Sequence, residues 1–113
     1  MRKGGERLTI FKVEKYLIKP EKQEEYMAMV KKWEAYIKKN KETMCRELKS
    51  WRLLSDTNTS AFVEMGEFES LADFEKIMDR IEHDKEFLTE IMSPWMSSMV
   101  PGSYSMNMWK PVP

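Results

Sequence analysis

Several residue types that support particular chemistries are scarce in this sequence. A single cysteine, Cys45, excludes an internal disulfide and a cysteine-rich metal site, and a single histidine, His83, excludes a histidine-based metal cluster. Lysine plus arginine and aspartate plus glutamate each number 19, so no net charge attracts nucleic acid or an anionic membrane. No apolar run approaches the roughly 20 residues of a spanning helix. We therefore expect no metal, no nucleic-acid partner and no membrane partner.

The first ten residues, MRKGGERLTI, also lack the apolar stretch of a signal peptide. Together with the lone cysteine, this predicts a reducing, cytoplasmic location. The 113 residues are 42% hydrophobic and 34% charged, which is typical of one globular domain. We expect this domain to span residues 1–113, with residues 1–7 flexible.

Methionine and tryptophan, in contrast, are abundant, with eleven and four copies. Methionine fills irregular gaps and adapts to varied ligands, so the excess suits either a core or an apolar pocket. The general preference of these residues for burial favours the core.

Apolar periodicity and turn residues divide the chain into six main elements. Alternation predicts strands over residues 8–18, 47–54, 61–69 and 103–110, and turn residues cluster at 55–60. Spacings of three and four predict a helix after Pro20 and a second one after Ser70, its expected N-cap. His83 and Asp84 are expected to interrupt the second helix before a further helical stripe ending near Trp95. The order predicts an α+β, ferredoxin-like βαββαβ fold: a four-stranded antiparallel sheet with the helices on one face.

The period of two separates each predicted strand into two faces. The cleaner apolar sets are expected beneath the helices: Phe11, Val13, Leu17, Ala61, Val63, Met65, Tyr104, Met106 and Met108. The other face is mixed, with Ile10, Lys12, Glu14, Tyr16, Arg52, Phe62, Glu64, Phe68, Asn107 and Trp109. An apolar patch of this size on a monomer is typical of an interface or pocket, which predicts a homodimer through the mixed sheet face.

Three segments resemble the dimeric α+β barrel superfamily, in particular its antibiotic biosynthesis monooxygenase-like and NIPSNAP-like branches. They are YLIKPEKQEEYMAMVKKW, FVEMGEFESLADFEKIM and IEHDKEFLTEIM, which together account for much of residues 8–110. The resemblance implies a dimeric barrel. Its members include cofactor-independent monooxygenases, haem-degrading enzymes, isomerases, decarboxylases and ligand-sensing domains, so it assigns no reaction by itself. The Asn and His pattern of the haem-degrading members is not matched, since Asn107 lies on the wrong strand, and no cofactor is expected.

Glu64 and Glu14 are the candidate catalytic residues, because carboxylates on neighbouring central strands of a partly dry site can act as acid and base. The alternative, which the equal number of cations on that face favours, is that they form ion pairs with Lys12 or Arg52. The candidate substrate pocket comprises Tyr16, Arg52, Phe62, Phe68, Asn107 and Trp109. Gly66 either leaves space above the sheet or marks a bulge.

Two isolated residues have simpler interpretations. His83 is a proton shuttle at a pocket mouth or, as the local sequence favours, a capping or surface residue. Cys45 lies in a polar turn without a histidine neighbour, which favours an incidental thiol over a reactive one.

Two functional hypotheses remain from the sequence. The first is a small cofactor-independent monooxygenase- or isomerase-like enzyme for a small apolar or aromatic compound. The second is a non-catalytic ligand-binding or assembly module with the same fold. An RNA-binding sheet is excluded because AFVEMGEFES has acids where that module needs basic and stacking residues, and a metal-transfer domain is excluded by the lack of paired cysteines.

Overall fold

The structure is a computed structural model that describes residues 9–40, 47–52 and 60–112, with only the backbone described for 47–52. The strands are β1 (Ile10–Leu17), β2 (Glu47–Arg52), β3 (Ala61–Phe68) and β4 (Ser105–Trp109). The helices are α1 (Gln23–Lys39), α2 (Leu71–Glu82), α3 (Lys85–Phe87) and α4 (Ser93–Ser98). A 3-10 turn at Pro20–Lys22 precedes α1, and a π-helical turn at Leu88–Met92 joins α3 to α4.

Local sequence explains where the second helical region begins and breaks. The Ser70 hydroxyl accepts a hydrogen bond from the Asp73 N–H at 3.1 Å, which confirms the predicted N-cap of α2. The predicted interruption at His83 and Asp84 is also confirmed, because the Asp84 carboxylate caps α3 by accepting from the N–H groups of Glu86 and Phe87. Two short polar side chains therefore define both helix starts.

The π-helical turn has a cause in the same region. Pro94 has no N–H to donate to the preceding turn, so an ordinary helical ladder cannot continue through it. The Ser93 N–H instead donates to the Leu88 carbonyl, five residues back. This π-helical turn joins α3 to α4, and α4 contains Trp95.

The strands form one sheet in the order β2-β3-β1-β4. Every neighbouring pair is antiparallel, and β1 lies opposite β3 over its full length, from Ile10 opposite Phe68 to Leu17 opposite Ala61. The strands and helices follow one another in the predicted order, and the ferredoxin-like α+β fold is confirmed.

The predicted assignment of the two sheet faces is wrong for β1 and β3. Tyr16, Ile18, Phe62 and Phe68 are buried and pack with residues of the helices. The face with Glu14 and Glu64 therefore lies beneath the helices. The opposite face, which we call the outer face, carries Phe11, Val13 and Leu17 from β1 and Ala61, Val63 and Met65 from β3, all partly exposed. Alternation predicts which residues share a face of the sheet. Because a period of two is the same for both faces, it does not predict which face packs against the helices.

For β4 the predicted faces are correct relative to the helices, but the strand was grouped with the wrong residues of β1. Trp109 lies opposite Phe11 and Asn107 opposite Val13, so both belong to the outer face. Met106 lies opposite Glu14 and Met108 opposite Lys12 on the helix-covered side.

The predictions for residues 1–7, Cys45 and most of the 55–60 turn fall outside the described residues. Among the helices in the described part of the chain, none is long and apolar enough to cross a membrane.

Candidate functional site

A cavity of about 190 Å³ lies between the sheet and the helices. Its walls are mostly aromatic and aliphatic, because α1, α2 and the segment from α3 to α4 all present apolar side chains to it. The aromatic contributors are Trp33, Phe68, Phe74, Phe87, Trp95 and Tyr104. Among the described residues, the charged side chains in its lining are Lys12, Glu14 and Glu64, all from β1 and β3. An apolar chamber with a few charged groups on one wall is the usual composition of a small-molecule site.

Glu14 and Glu64 lie directly opposite each other on β1 and β3. Side chains opposite each other on one face of an antiparallel pair are close enough to interact. Both residues are buried, with 8% and 7% of their surface exposed. The strand register thus brings together the two carboxylates that the sequence proposed as catalytic.

Glu14 is held from two sides. Its Oε1 atom lies 3.3 Å from the Lys12 ammonium, and its Oε2 atom accepts a hydrogen bond of 2.6 Å from the Tyr104 hydroxyl. The predicted pairing of a site glutamate with Lys12 is confirmed. The Lys12 Nζ atom also lies 5.9 and 5.8 Å from the ring centroids of Phe68 and Phe74, within cation–π range. These contacts compensate much of the penalty of burying the pair.

Glu64 lies beside a pair of buried tyrosines. The hydroxyls of Tyr16 and Tyr26 are 2.6 Å apart. Burial raises the pKa of Tyr16 far above its ordinary value, and the charge of Glu64 and a hydrogen bond to it raise this pKa further. Burial likewise raises the pKa of Tyr26, although its hydrogen bond to Tyr16 acts in the opposite direction. Both phenols therefore stay protonated near the carboxylate.

Tyr104 was not predicted as a site residue. Burial raises the pKa of its phenol, and the hydrogen bond to Glu14 raises it further, so this side chain also stays a donor. The sequence correctly groups Tyr104 with Met106 and Met108 on one face. That this face lies beside Glu14 follows only from the pairing register of β1 and β4.

The remaining predicted pocket residues divide into three groups. Phe68 lines the cavity, while Tyr16 and Phe62 are buried beside it, stacked with their ring centroids 6.5 Å apart. Asn107 and Trp109 lie on the outer face, and Trp109 is 60% exposed, so neither belongs to this cavity. Arg52 occupies the register position opposite Phe62, and its side chain is outside the described residues.

The positions of Gly66 and His83 decide between the two interpretations that the sequence left open for each residue. Gly66 lines the cavity within unbroken strand pairing to Lys12 and Leu48, so it provides space and does not mark a bulge. His83 is exposed at the C-terminus of α2, with Nδ1 2.8 Å from the Asp79 carbonyl oxygen, outside the cavity lining. That hydrogen bond and the Asp79 charge raise its imidazole pKa.

Solved structures with the same fold come from several organisms. A NIPSNAP family protein from Agrobacterium tumefaciens is 16% identical with a TM-score of 0.73, covering 99% of this chain and 92% of its own. A candidate antibiotic biosynthesis monooxygenase from Caulobacter crescentus is 17% identical with a TM-score of 0.73, covering 95% and 92%. A dimeric ferredoxin-like protein from an uncultured marine organism is 14% identical with a TM-score of 0.65, covering 94% and 95%.

No protein-family model matches the sequence, and a search of curated proteins finds no similar sequence. The structural similarities show that this chain shares its fold with a NIPSNAP family protein and with a candidate antibiotic biosynthesis monooxygenase. At these identities the similarity establishes the fold, and the reaction has to be argued from the site.

Proposed function

We propose that this chain is a small cofactor-independent monooxygenase- or isomerase-like enzyme that binds a small apolar or aromatic compound in the cavity between sheet and helices. The observation that carries the proposal is the pair of buried carboxylates, Glu14 and Glu64, side by side on the wall of a largely apolar chamber. The similarity to a candidate antibiotic biosynthesis monooxygenase is compatible with this class of reaction.

The size of the cavity suits a compact ligand. At about 190 Å³ it is smaller than the roughly 300–1,000 Å³ of drug-sized ligand sites. It is larger than an engineered apolar cavity of about 150 Å³ that binds benzene. A ligand of one or two rings follows from this comparison.

The proposed chemistry begins with a proton transfer. A C–H bond next to a carbonyl breaks, its electron pair stays on the ligand as an enolate, and the proton moves to a Glu64 oxygen. Glu14, whose two oxygens contact the Lys12 ammonium and the Tyr104 hydroxyl, has a positioning role. The Lys12 ammonium instead stabilises the developing negative charge.

Two outcomes are possible for the enolate. An isomerase acting on a β,γ-unsaturated ketone returns the proton to the γ-carbon, and the carbon–carbon double bond moves into conjugation with the carbonyl. A monooxygenase lets the enolate react with dioxygen, so that a CH₂ group becomes a carbonyl and its two hydrogens leave with the second oxygen atom as water. The substrate supplies all the electrons in both cases, so neither outcome requires a cofactor.

The experiment uses 2-tetralone, a two-ring ketone with acidic C–H groups. Exchange of these protons in D₂O is followed by NMR, and oxygen uptake is followed with an electrode. We expect Glu64→Gln to lower the protein-catalysed exchange by about 100-fold, the typical contribution of a general base. Glu14→Gln should lower it less, and Glu75→Gln, on the exposed side of α2, should leave it unchanged. Equal exchange in the wild type and Glu64→Gln would contradict the catalytic role.

The second candidate is a non-catalytic ligand-binding or assembly module. The observation that favours it is that the carboxylates have protein partners: Glu14 contacts Lys12 and Tyr104, and Glu64 contacts Tyr16. Under this alternative, 2-tetralone binds without proton exchange or oxygen uptake, and the same two measurements decide between the candidates.

The proposal includes a homodimer that forms through the outer face. Phe11, Val13, Leu17, Val63 and Met65 form a partly exposed apolar surface on the central strands, and Trp109 extends it at 60% exposure. A contiguous apolar sheet face of this kind is typical of an interface. The similarity to a dimeric ferredoxin-like protein supports the same assembly. For β1 and β3 this is the face opposite to the one predicted from the sequence, whereas Trp109 of β4 was predicted at the interface.

A further inference from the structure

Gly66 leaves a gap in the row of side chains that β3 presents to the helices. The other members of this row are Phe62, Glu64 and Phe68, and all three are large and buried. Gly66 occupies the same face, because side chains alternate along an unbroken strand, and it is buried and lines the cavity. The space that a larger residue would fill is therefore part of the cavity.

The backbone of β3 does not require a glycine at this position. Gly66 pairs with Lys12 on β1 and Leu48 on β2 without a bulge, and its φ is not positive, unlike that of Gly102. An alanine would fit this backbone without strain. Glycine inside a strand weakens it, because it loses more conformational freedom on folding and has no side chain to pack. Gly66 thus destabilises the strand, and what it provides is the open space above it.

The groups around this gap are those that the proposed proton transfer uses. Glu64 and Phe68 flank Gly66 along the strand, each about 7 Å away at about 3.3 Å per residue. Lys12 lies directly opposite Gly66 on β1, and its ammonium contacts the Glu14 carboxylate. A ring lying on the bare backbone would have the Lys12 ammonium beside its oxygen and the Glu64 carboxylate beside its acidic carbon.

We infer that Gly66 is a specificity-determining residue of the site, and that one ring of the ligand lies flat against its backbone. This inference rests on the proposed function and narrows its substrate class to fused two-ring ketones. Protein interiors are close-packed, so even one methyl group added at Gly66 removes space that the ligand needs. A two-ring ketone is then excluded, whereas a one-ring ketone still fits the rest of the cavity.

The test compares 2-tetralone with cyclohexanone, a ketone with one ring. Dissociation constants are measured by ¹H–¹⁵N NMR titration for the wild type, Gly66→Ala and Val63→Ile. Val63→Ile is the matched control, because it also adds one methyl group to β3 but on the outer face, outside the cavity lining. Urea denaturation of each variant establishes that it is folded.

We expect Gly66→Ala to weaken 2-tetralone binding by about tenfold and cyclohexanone binding by less than about twofold, because overpacking is unfavourable only where the ligand fills the gap. Val63→Ile should leave both affinities unchanged. The urea midpoint of Gly66→Ala should equal or exceed the wild-type value, because alanine is favoured over glycine in a strand. Wild-type affinity of Gly66→Ala for 2-tetralone, or equal weakening of both ketones, would overturn the inference. A lower urea midpoint would also overturn it, by showing that the fold itself needs the glycine.

Failure of the proposed function has a different signature. A wild type that binds neither ketone would contradict the proposed function and the inference together. If the wild type exchanges the protons of 2-tetralone through Glu64 and Gly66→Ala does so equally well, only the inference fails.

A second measurement does not depend on the affinity of a variant. The chain has four glycines, Gly4, Gly5, Gly66 and Gly102, so selective ¹³C labelling of glycine gives few signals, and the one that Gly66→Ala removes identifies Gly66. In the wild type we expect nuclear Overhauser effects between the Gly66 Hα protons and the ring protons of bound 2-tetralone. Bound 2-tetralone without these effects would show that its rings lie elsewhere in the cavity, which overturns the inference.

Discussion

At the scale of single residues, the cavity wall shows how buried charges are accommodated next to apolar groups. Glu14 is compensated by the Lys12 ammonium and the Tyr104 hydroxyl, and Glu64 lies against the linked hydroxyls of Tyr16 and Tyr26. Charges in a poorly solvated interior persist only when such partners are present. Each of the three tyrosines in this network has a raised pKa, chiefly because burial disfavours phenolate.

These raised pKa values predict a steep loss of stability at alkaline pH. The fourth tyrosine, Tyr36, has a pKa raised to about 12 by burial and by its hydrogen bond to Asp84. An unfolded tyrosine ionises at about pH 10. The tyrosine pKa values are higher in the folded protein than in the unfolded chain. The protonated tyrosines therefore contribute fully to the stability of the fold below pH 10, and this contribution is lost as the pH rises toward the pKa values of the folded protein.

The measurement is tyrosinate absorbance at 295 nm together with far-UV circular dichroism between pH 8 and 13. We expect tyrosinate to appear in one cooperative step that coincides with unfolding. The same chain unfolded in urea is the control and should titrate near pH 10. Gradual ionisation near pH 10 with the dichroism unchanged would show that the phenols are not protected.

At the scale of single elements, short polar side chains determine where the helices begin. Ser70 caps α2 through the Asp73 N–H, and Asp84 caps α3 through two N–H groups. Tyr36 of α1 donates a hydrogen bond to the same Asp84 carboxylate, so this cap also joins the first helix to the third. Caps of this kind were visible in the sequence because their signal is local.

The contribution of the Ser70 cap can be measured directly. Ser70→Ala should lower the free energy of unfolding by about 1 kcal/mol, since one N–H at the start of α2 loses its acceptor. Ser70→Asp, which retains an acceptor, should stay close to the wild type. Ser97→Ala is the control, because it removes an exposed hydroxyl within α4 and should change stability by less than about 0.5 kcal/mol. Urea denaturation provides all four values, and a Ser70→Ala variant as stable as Ser97→Ala would exclude the cap as a stabilising contact.

At the scale of the whole molecule, the sheet separates two environments. One face carries the carboxylates and the cavity beneath the helices, and the outer face carries an apolar surface on β1 and β3. A monomer would leave that outer surface in water, which is unfavourable in proportion to its apolar area.

The proposed dimer can be tested by sedimentation velocity over a range of protein concentrations. We expect the wild type to sediment as a dimer and Val63→Lys to shift toward a monomer, because a buried lysine at the centre of an apolar interface lacks a partner. Glu75→Lys also introduces a lysine, but on exposed α2, and should leave the dimer unchanged. A wild type that stays monomeric at every concentration would contradict the assembly.

The sequence by itself determined the elements and their order, because alternation, helical spacing and capping residues act over a few positions. It also determined that Glu14 and Glu64 share a face with Tyr16, Phe62 and Phe68. Only the tertiary structure decided that the helices cover this face, since a period of two is the same viewed from either side. Likewise, Tyr104 reaches Glu14 across 90 positions of sequence, and Trp95 joins them from a separate helix. Such contacts depend on strand register and helix packing, which no local pattern encodes.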